Sequence, residues 1–179
     1  MRYAAIRSFD VTNGKGVGIS LFVQGCPFHC KNCFNPETWD FNNGKEWTDE
    51  IENKFIKLAK REYIKRVSLL GGSPLCDKNV EDVLLLIKRL RLECPDKKIW
   101  VYTGYDWNDI IHSNNPTIEQ LYRKEILSYI DVLVDGQFEY DKKDLTLAFR
   151  GSTNQRLIDV QKSIKNNGDI ILWNSMETS

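Results

Sequence analysis

Short apolar runs alternate along this chain with stretches of helical periodicity, and that alternation restricts its fold more than any other property. Residues 17–23, 66–70, 99–102 and 130–134 are brief, β-branched or aromatic, and read as strands. Between the first two, residues 48–63 set Ile51, Phe55, Leu58, Ala59 and Tyr63 on one helical face. Thr48 is the expected N-cap, with Asp49 and Glu50 at the positive end of the helix dipole. A second helix over 79–92 carries Val80, Val83, Leu84, Ile87 and Leu90 at helical spacing. Asn115 followed by Pro116 predicts a third helix start, with Ile118, Leu121, Tyr122 and Ile126 turned inward. Less regular strands, 157–160 and 170–173, close the chain.

Strands separated by helices imply βα units around a mostly parallel sheet, because parallel neighbours need a crossover connection. Roughly four to six such units fall short of a closed eight-stranded barrel. The expected fold is therefore α/β, a partial (incomplete) βα barrel formed by one domain, 1–179. Gly44 and Asn114–Asn115 read as loop punctuation, and no repeat or linker divides the chain. Ligands in such sheets gather at the carboxyl ends of the strands. Four unusual segments lie there, 24–39, 71–76, 103–106 and 135–138, and they predict one shared site.

The first of these segments holds Cys26, Cys30 and Cys33 at C-x3-C-x2-C spacing, three of the chain's five cysteines. An odd count with three crowded together favours a metal or cluster site over a disulfide framework. Thiolates are soft anionic ligands for iron, and spacing this tight lets one loop wrap a cluster. Three ligands on a four-iron cube leave one iron open, and the amino and carboxylate groups of S-adenosylmethionine (SAM) can chelate it. An electron passed into the adjacent sulfonium can cleave a carbon–sulfur bond and give a 5′-deoxyadenosyl radical. The competing account is a structural zinc site, which needs four ligands, with His29, Cys76 or Cys94 completing the set.

Composition excludes other classes. Equal numbers of cationic and anionic side chains give a formal net charge of zero, so there is no bulk attraction for nucleic acid or an anionic membrane. The first residues lack the apolar stretch of a secretory signal, and the densest apolar run, 83–87, is far too short to span a bilayer. Both features point to a cytoplasmic protein with reduced thiols.

The triad and its surroundings resemble the radical SAM superfamily, and within it the activating proteins of anaerobic, glycyl-radical ribonucleoside-triphosphate reductases. The resemblance rests on Asp10-Val11-Thr12-Asn13-Gly14-Lys15-Gly16, Leu21-Phe22-Val23-Gln24-Gly25-Cys26 and Cys33-Phe34-Asn35-Pro36-Glu37-Thr38-Trp39. It continues through Val101-Tyr102-Thr103-Gly104-Tyr105, Val134-Asp135-Gly136-Gln137-Phe138 and Arg150-Gly151-Ser152-Thr153-Asn154-Gln155-Arg156, so it spans about residues 8 to 160. It implies a [4Fe–4S] cluster on Cys26, Cys30 and Cys33, with the backbone of Asn32 and Phe34 near the adenine of SAM. It assigns Gly71, Gly72 and Ser73, with Pro74, to the amino group of SAM. The implied partner is the reductase, which receives a glycyl radical, with a low-potential electron donor such as flavodoxin or ferredoxin; neither nucleic acid nor membrane is implied. Two positions depart from the pattern. Asn32 stands where an aromatic residue is usual, and Ser73 replaces an acidic residue that would pair with the ammonium of SAM.

The other features divide between chemistry and ordinary structure. Thr103-Gly104-Tyr105 and Asp135-Gly136 read equally as strand-ending turns or as SAM contacts, with the Asp135 carboxylate placed for the ribose. The stretch 150–156 reads by itself as a solvated loop. Gly14-Lys15-Gly16-Val17-Gly18 lacks the order of a phosphate-binding loop. Cys76 and Cys94 read as buried thiols, His112 as a helix-end residue, and the five tryptophans as core or rim. Besides the activating-protein reading, the sequence leaves open an activase of another glycyl-radical enzyme, a radical SAM enzyme acting on a metabolite, and a zinc-binding interaction module.

Overall fold

The computed structural model describes residues 1–112 and 115–174. Its seven strands form one open mixed sheet in the order β3-β1-β2-β4-β5-β6-β7. The middle of the sheet is parallel: β2 (Gly18–Val23), β4 (Arg66–Gly71), β5 (Lys98–Tyr102) and β6 (Val132–Asp135) run in one direction. β1 (Arg2–Asp10) pairs antiparallel with β2 and with the two-residue β3 (Lys45–Glu46), and β7 (Arg156–Asp159) pairs antiparallel with β6.

Alternation along the central strands sends successive side chains to opposite faces. Ile19, Leu21, Val67, Leu69, Ile99, Val101 and Leu133 join the main core with residues of α1 (Asp49–Ala59), α2 (Val80–Glu93), α3 (Trp107–Ile111), α4 (Ile118–Leu127) and α5 (Val160–Lys165). On the other face Trp100, Val132, Val134 and Leu157 pack with Tyr102, Phe149 and Trp173. Further across that face the filling turns polar. Arg66 is fully buried and donates to the carbonyls of Asp10 and Asn13, while Ser20 donates to Asp10 Oδ2 at 2.6 Å. This buried network pins the 10–18 connection against the sheet.

The helices start largely where capping chemistry predicts. Thr48 Oγ1 accepts from the Ile51 N–H, and α1 follows. That helix ends at Ala59, earlier than expected, and Tyr63 lies in the following turn, 51% exposed. For α4 the predicted cap is wrong. Thr117 is the N-cap and forms a capping box with Gln120, so Asn115 and Pro116 precede the helix. The predicted inward face is also wrong in part: Ile118 and Leu121 are exposed, whereas Arg123, Ile126 and Leu127 are buried. Residues 170–173 contribute only an isolated bridge, Leu172 to Ile158. Asn114, read as loop punctuation, lies outside the described residues. No helix among the described residues is long and apolar enough to cross a membrane.

Candidate active site

β2 delivers its carboxyl end directly into the cysteine loop, and backbone bonds close that loop on itself. The Gly25 N–H donates to Thr38 O at 2.8 Å and the Cys26 N–H to Trp39 O at 3.1 Å. Gln24, buried beneath them, donates through Nε2 to the carbonyls of Glu37 and Asp40. Between these anchors His29 and Asn32 adopt left-handed conformations, and the Cys33 N–H closes a turn onto Cys30 O. The result is that Cys26, Cys30 and Cys33 line one cavity of about 540 Å³.

The four carboxyl-end segments meet there as the alternation predicts. Phe34 and Trp39 join the cysteines, Gly71 and Gly72 come from the end of β4, Thr103 and Gly104 from β5, and Gly136, Gln137 and Phe138 from β6. Close backbone approach explains two of the glycines. A Cβ at Gly72 would lie 2.4 Å from Gly25 O, and one at Gly104 would lie 2.6 Å from the Phe28 ring.

Burial pushes the Cys26 and Cys30 thiols above their ordinary range, with like charge from neighbouring cysteines adding to it. Backbone N–H groups oppose that shift: those of Phe28 and His29 at Cys26, and that of Phe138 at Cys30. The Asn35 N–H donates to Cys33 Sγ at 3.4 Å. Each sulfur therefore has an amide positioned to stabilise a thiolate, as a metal or cluster ligand requires. Among the described residues no three His, Cys, Asp or Glu side chains gather as a single-ion site. His29 is stacked on Trp39, ring centres 4.8 Å apart, Cys94 is buried at the end of α2, and burial raises Cys76 to about 11. The three thiols line one cavity, and thiolates of this kind are the usual ligands of an iron–sulfur cluster.

Other predicted residues fall differently. Ser73 is buried one residue behind the cavity wall, and its Oγ has no hydrogen-bond partner. Asn32 is exposed and does not line the cavity. Asp135 is fully buried, and its carboxylate accepts from Arg156 and from the Trp107 N–H at 2.9 Å. The side chain of Asp135 is thus engaged within the fold, and Gly136 is the residue of that turn that lines the cavity. The stretch 150–156 is likewise no solvated loop, since Ser152 is fully buried, Arg156 holds Asp135, and Arg150 lines the cavity.

Sequence reasoning missed Leu145, Leu147 and Phe149. They line one wall beside Arg150, and Arg7, Thr12, Asn13 and Tyr102 also line the cavity. The period-two pattern Leu145-x-Leu147-x-Phe149 was the available signal.

A family model described as a 4Fe-4S single cluster domain matches residues 12–158. Proteins named anaerobic ribonucleoside-triphosphate reductase-activating protein align over 157 residues. That from Vibrio cholerae is 42% identical, covering 87% of this chain and 96% of the relative. Those from Escherichia coli and Pasteurella multocida are 40% identical, covering 87% of this chain and 96% and 95% of the relatives. The chain belongs to the anaerobic ribonucleoside-triphosphate reductase-activating protein family.

Proposed function

We propose that this chain is the radical SAM activase that installs a glycyl radical on an anaerobic ribonucleoside-triphosphate reductase. The observation that carries this reading is the 40–42% identity, over 157 residues, to proteins named for that activity. Cys26, Cys30 and Cys33 are the proposed ligands of the [4Fe–4S] cluster. A cluster held there would supply the one-electron reduction that cleaves a carbon–sulfur bond of SAM, releasing methionine, and the radical chemistry would end with a hydrogen moved from a glycine of the reductase to 5′-deoxyadenosine.

The protein's part is position and exclusion. Gly71 and Gly72 offer a wall without side chains, against which the methionyl part of SAM can lie, and the unpartnered Ser73 hydroxyl stands behind it for the ammonium. Thr103 and the backbone around Phe34 line the same cavity and suit the nucleoside end. Phe28, packed edge-on to Tyr105 at 5.0 Å, and Phe34, against Phe138 at 4.9 Å, keep water from the reacting atoms. In this reading residues 1–179 form one radical SAM domain, its sheet an incomplete βα barrel. It works in the cytosol with a low-potential donor such as flavodoxin or ferredoxin.

The test is anaerobic. The chain is reconstituted with iron and sulfide, reduced, given SAM, and assayed for 5′-deoxyadenosine with and without the reductase, beside Cys30→Ala. Cysteine-dependent product together with a glycyl-radical signal in electron paramagnetic resonance is the expected result. A bound cluster that yields neither product nor radical with the reductase present sinks the reading.

A further inference from the structure

The stretch between Cys26 and Cys30 is held by rings and not by backbone. Residues 27–29 make no backbone–backbone hydrogen bond among the described residues. The N–H groups of Phe28 and His29 are turned instead to the sulfur of Cys26. His29 reaches that arrangement with a φ of 47°, in the left-handed region that a residue with a side chain seldom adopts.

Each of these two residues is backed by a ring from elsewhere. Phe28 packs on the turn after β5: Tyr105 meets it edge-on with ring centres 5.0 Å apart, and a Cβ at Gly104 would lie 2.6 Å from the Phe28 ring. That turn is itself fixed. The Tyr105 N–H donates to Thr103 Oγ1 at 3.2 Å, and Tyr105 O accepts from the Gly136 N–H at 3.1 Å. From the side of α4, Arg123 Nη2 donates to the Tyr105 hydroxyl at 3.1 Å. His29 is exposed yet stacked on Trp39, with ring centres 4.8 Å apart, and Trp39 O accepts the Cys26 N–H at 3.1 Å. Thr103-Gly104-Tyr105 is therefore more than a strand-ending turn, since it braces one half of the cysteine loop while Trp39 braces the other.

Amides aimed at a ligand sulfur favour added negative charge, and hydrogen bonds to the sulfurs are among the levers on an iron–sulfur potential. We infer that Tyr105 and Trp39 are positioning residues that hold the Phe28 and His29 amides on the Cys26 sulfur and so raise the reduction potential of the [4Fe–4S] cluster. The inference rests on the cluster reading above and names how this chain sets that cluster's readiness to take an electron. Both residues act through the loop and not on the reacting atoms.

The experiment is a redox titration of the reconstituted chain, without SAM or reductase, followed by electron paramagnetic resonance. Tyr105→Leu and Trp39→Leu should each lower the ratio of reduced to oxidised cluster, at the parent's midpoint, by about three- to tenfold. Tenfold corresponds to about 59 mV for a one-electron couple. Tyr105→Phe and Trp39→Phe, which keep a ring, should stay within about twofold of the parent. Iron content and the melt of the cluster-free protein are measured beside each titration. Loaded Leu variants with the parent's ratio overturn the inference, as does a Tyr105→Phe shifted as far as Tyr105→Leu, which would assign the effect to the hydroxyl. A Leu variant that loses cluster and fold together makes its ring a structural prop and overturns the inference for that residue. One that melts like the parent yet binds no iron supports it, because the loop alone has failed. A parent that takes up no iron and sulfide overturns the cluster reading beneath.

Discussion

Asp135 and Arg156 are partners twice over, opposite each other in the antiparallel β6–β7 ladder and joined side chain to side chain, with Arg156 Nε 3.0 Å from Oδ1. The same carboxylate holds the first amide of α3, the Trp107 N–H. One buried charge thus ties the last two strands to the helix that follows β5. Asp135→Asn should cost about 2 kcal/mol, the loss of a charged hydrogen bond with Arg156 partly screened by solvent. Thermal melts should fall by several degrees, while the folded variant should bind SAM like the parent. Lost SAM affinity at unchanged stability would restore the ribose contact.

Ser73 invites the opposite experiment. Its hydroxyl is buried without a partner behind Gly72, where an acidic residue would meet the ammonium of SAM with a bond about twice as strong as a neutral one. Ser73→Asp should bind SAM several-fold more tightly by calorimetry on the cluster-loaded protein. In the absence of SAM it should melt lower, because the new carboxylate is buried unpaired. Equal or weaker SAM binding would remove Ser73 from the ammonium site.

The Asp10–Arg66 pair gives the fold an acid limit. Both side chains are essentially inaccessible, 1% and 0% exposed, with 3.6 Å between Nη2 and Oδ1. Burial by itself would raise the pKa of Asp10, but hydrogen bonds from Ser20, Asn13 and Thr12 outweigh it and hold the carboxyl well below the usual range. A folded pKa below the unfolded value of about 3.9 contributes stability that is complete above it and lost as pH falls toward the folded value. Urea midpoints should therefore drop below about pH 4 in the parent and drop less in Asp10→Asn, the gap between them staying constant above about pH 5. At neutral pH, Asp10→Ala should cost about 3–5 kcal/mol, since it leaves Arg66 buried without its counter-charge.

The close approach of Gly72 to Gly25 predicts a further effect at the cysteine loop. Gly72→Ala places a Cβ 2.4 Å from Gly25 O, and backbone on both sides must shift, at about 1–3 kcal/mol. The displaced strand end carries Cys26. Iron bound per chain after reconstitution should fall below the parent value; full iron content in a stable variant would show that the loop is more compliant than its packing suggests.

What was legible in the sequence follows from burial. The central strands are covered on both faces, so they read as plain apolar runs, and their carboxyl ends led to the cavity. β1 was missed because it is largely exposed, with Tyr3 and Asp10 its only fully buried side chains. The face of α4 was misjudged because Arg123 is buried: it donates to Leu75 O at 2.7 Å and lies 4.2 Å from the Tyr105 ring centre. A cation satisfied by a distant carbonyl and an aromatic face leaves no periodic signal. The same holds for Asp135, whose partner lies 21 residues away in sequence.

The parallel core also separates this molecule into two ends with different freedom to change. The cysteines and the strand-end glycines of the cavity stand at the carboxyl edge, while the turns at Arg61–Tyr63 and Pro95–Asp96 lie at the opposite edge, exposed and clear of the cavity. Affinity handles, spectroscopic labels or an inserted domain belong at those turns, where added chain leaves the chemistry untouched. An addition of the same length beside Phe34 or Gly151 would meet the entering partner first.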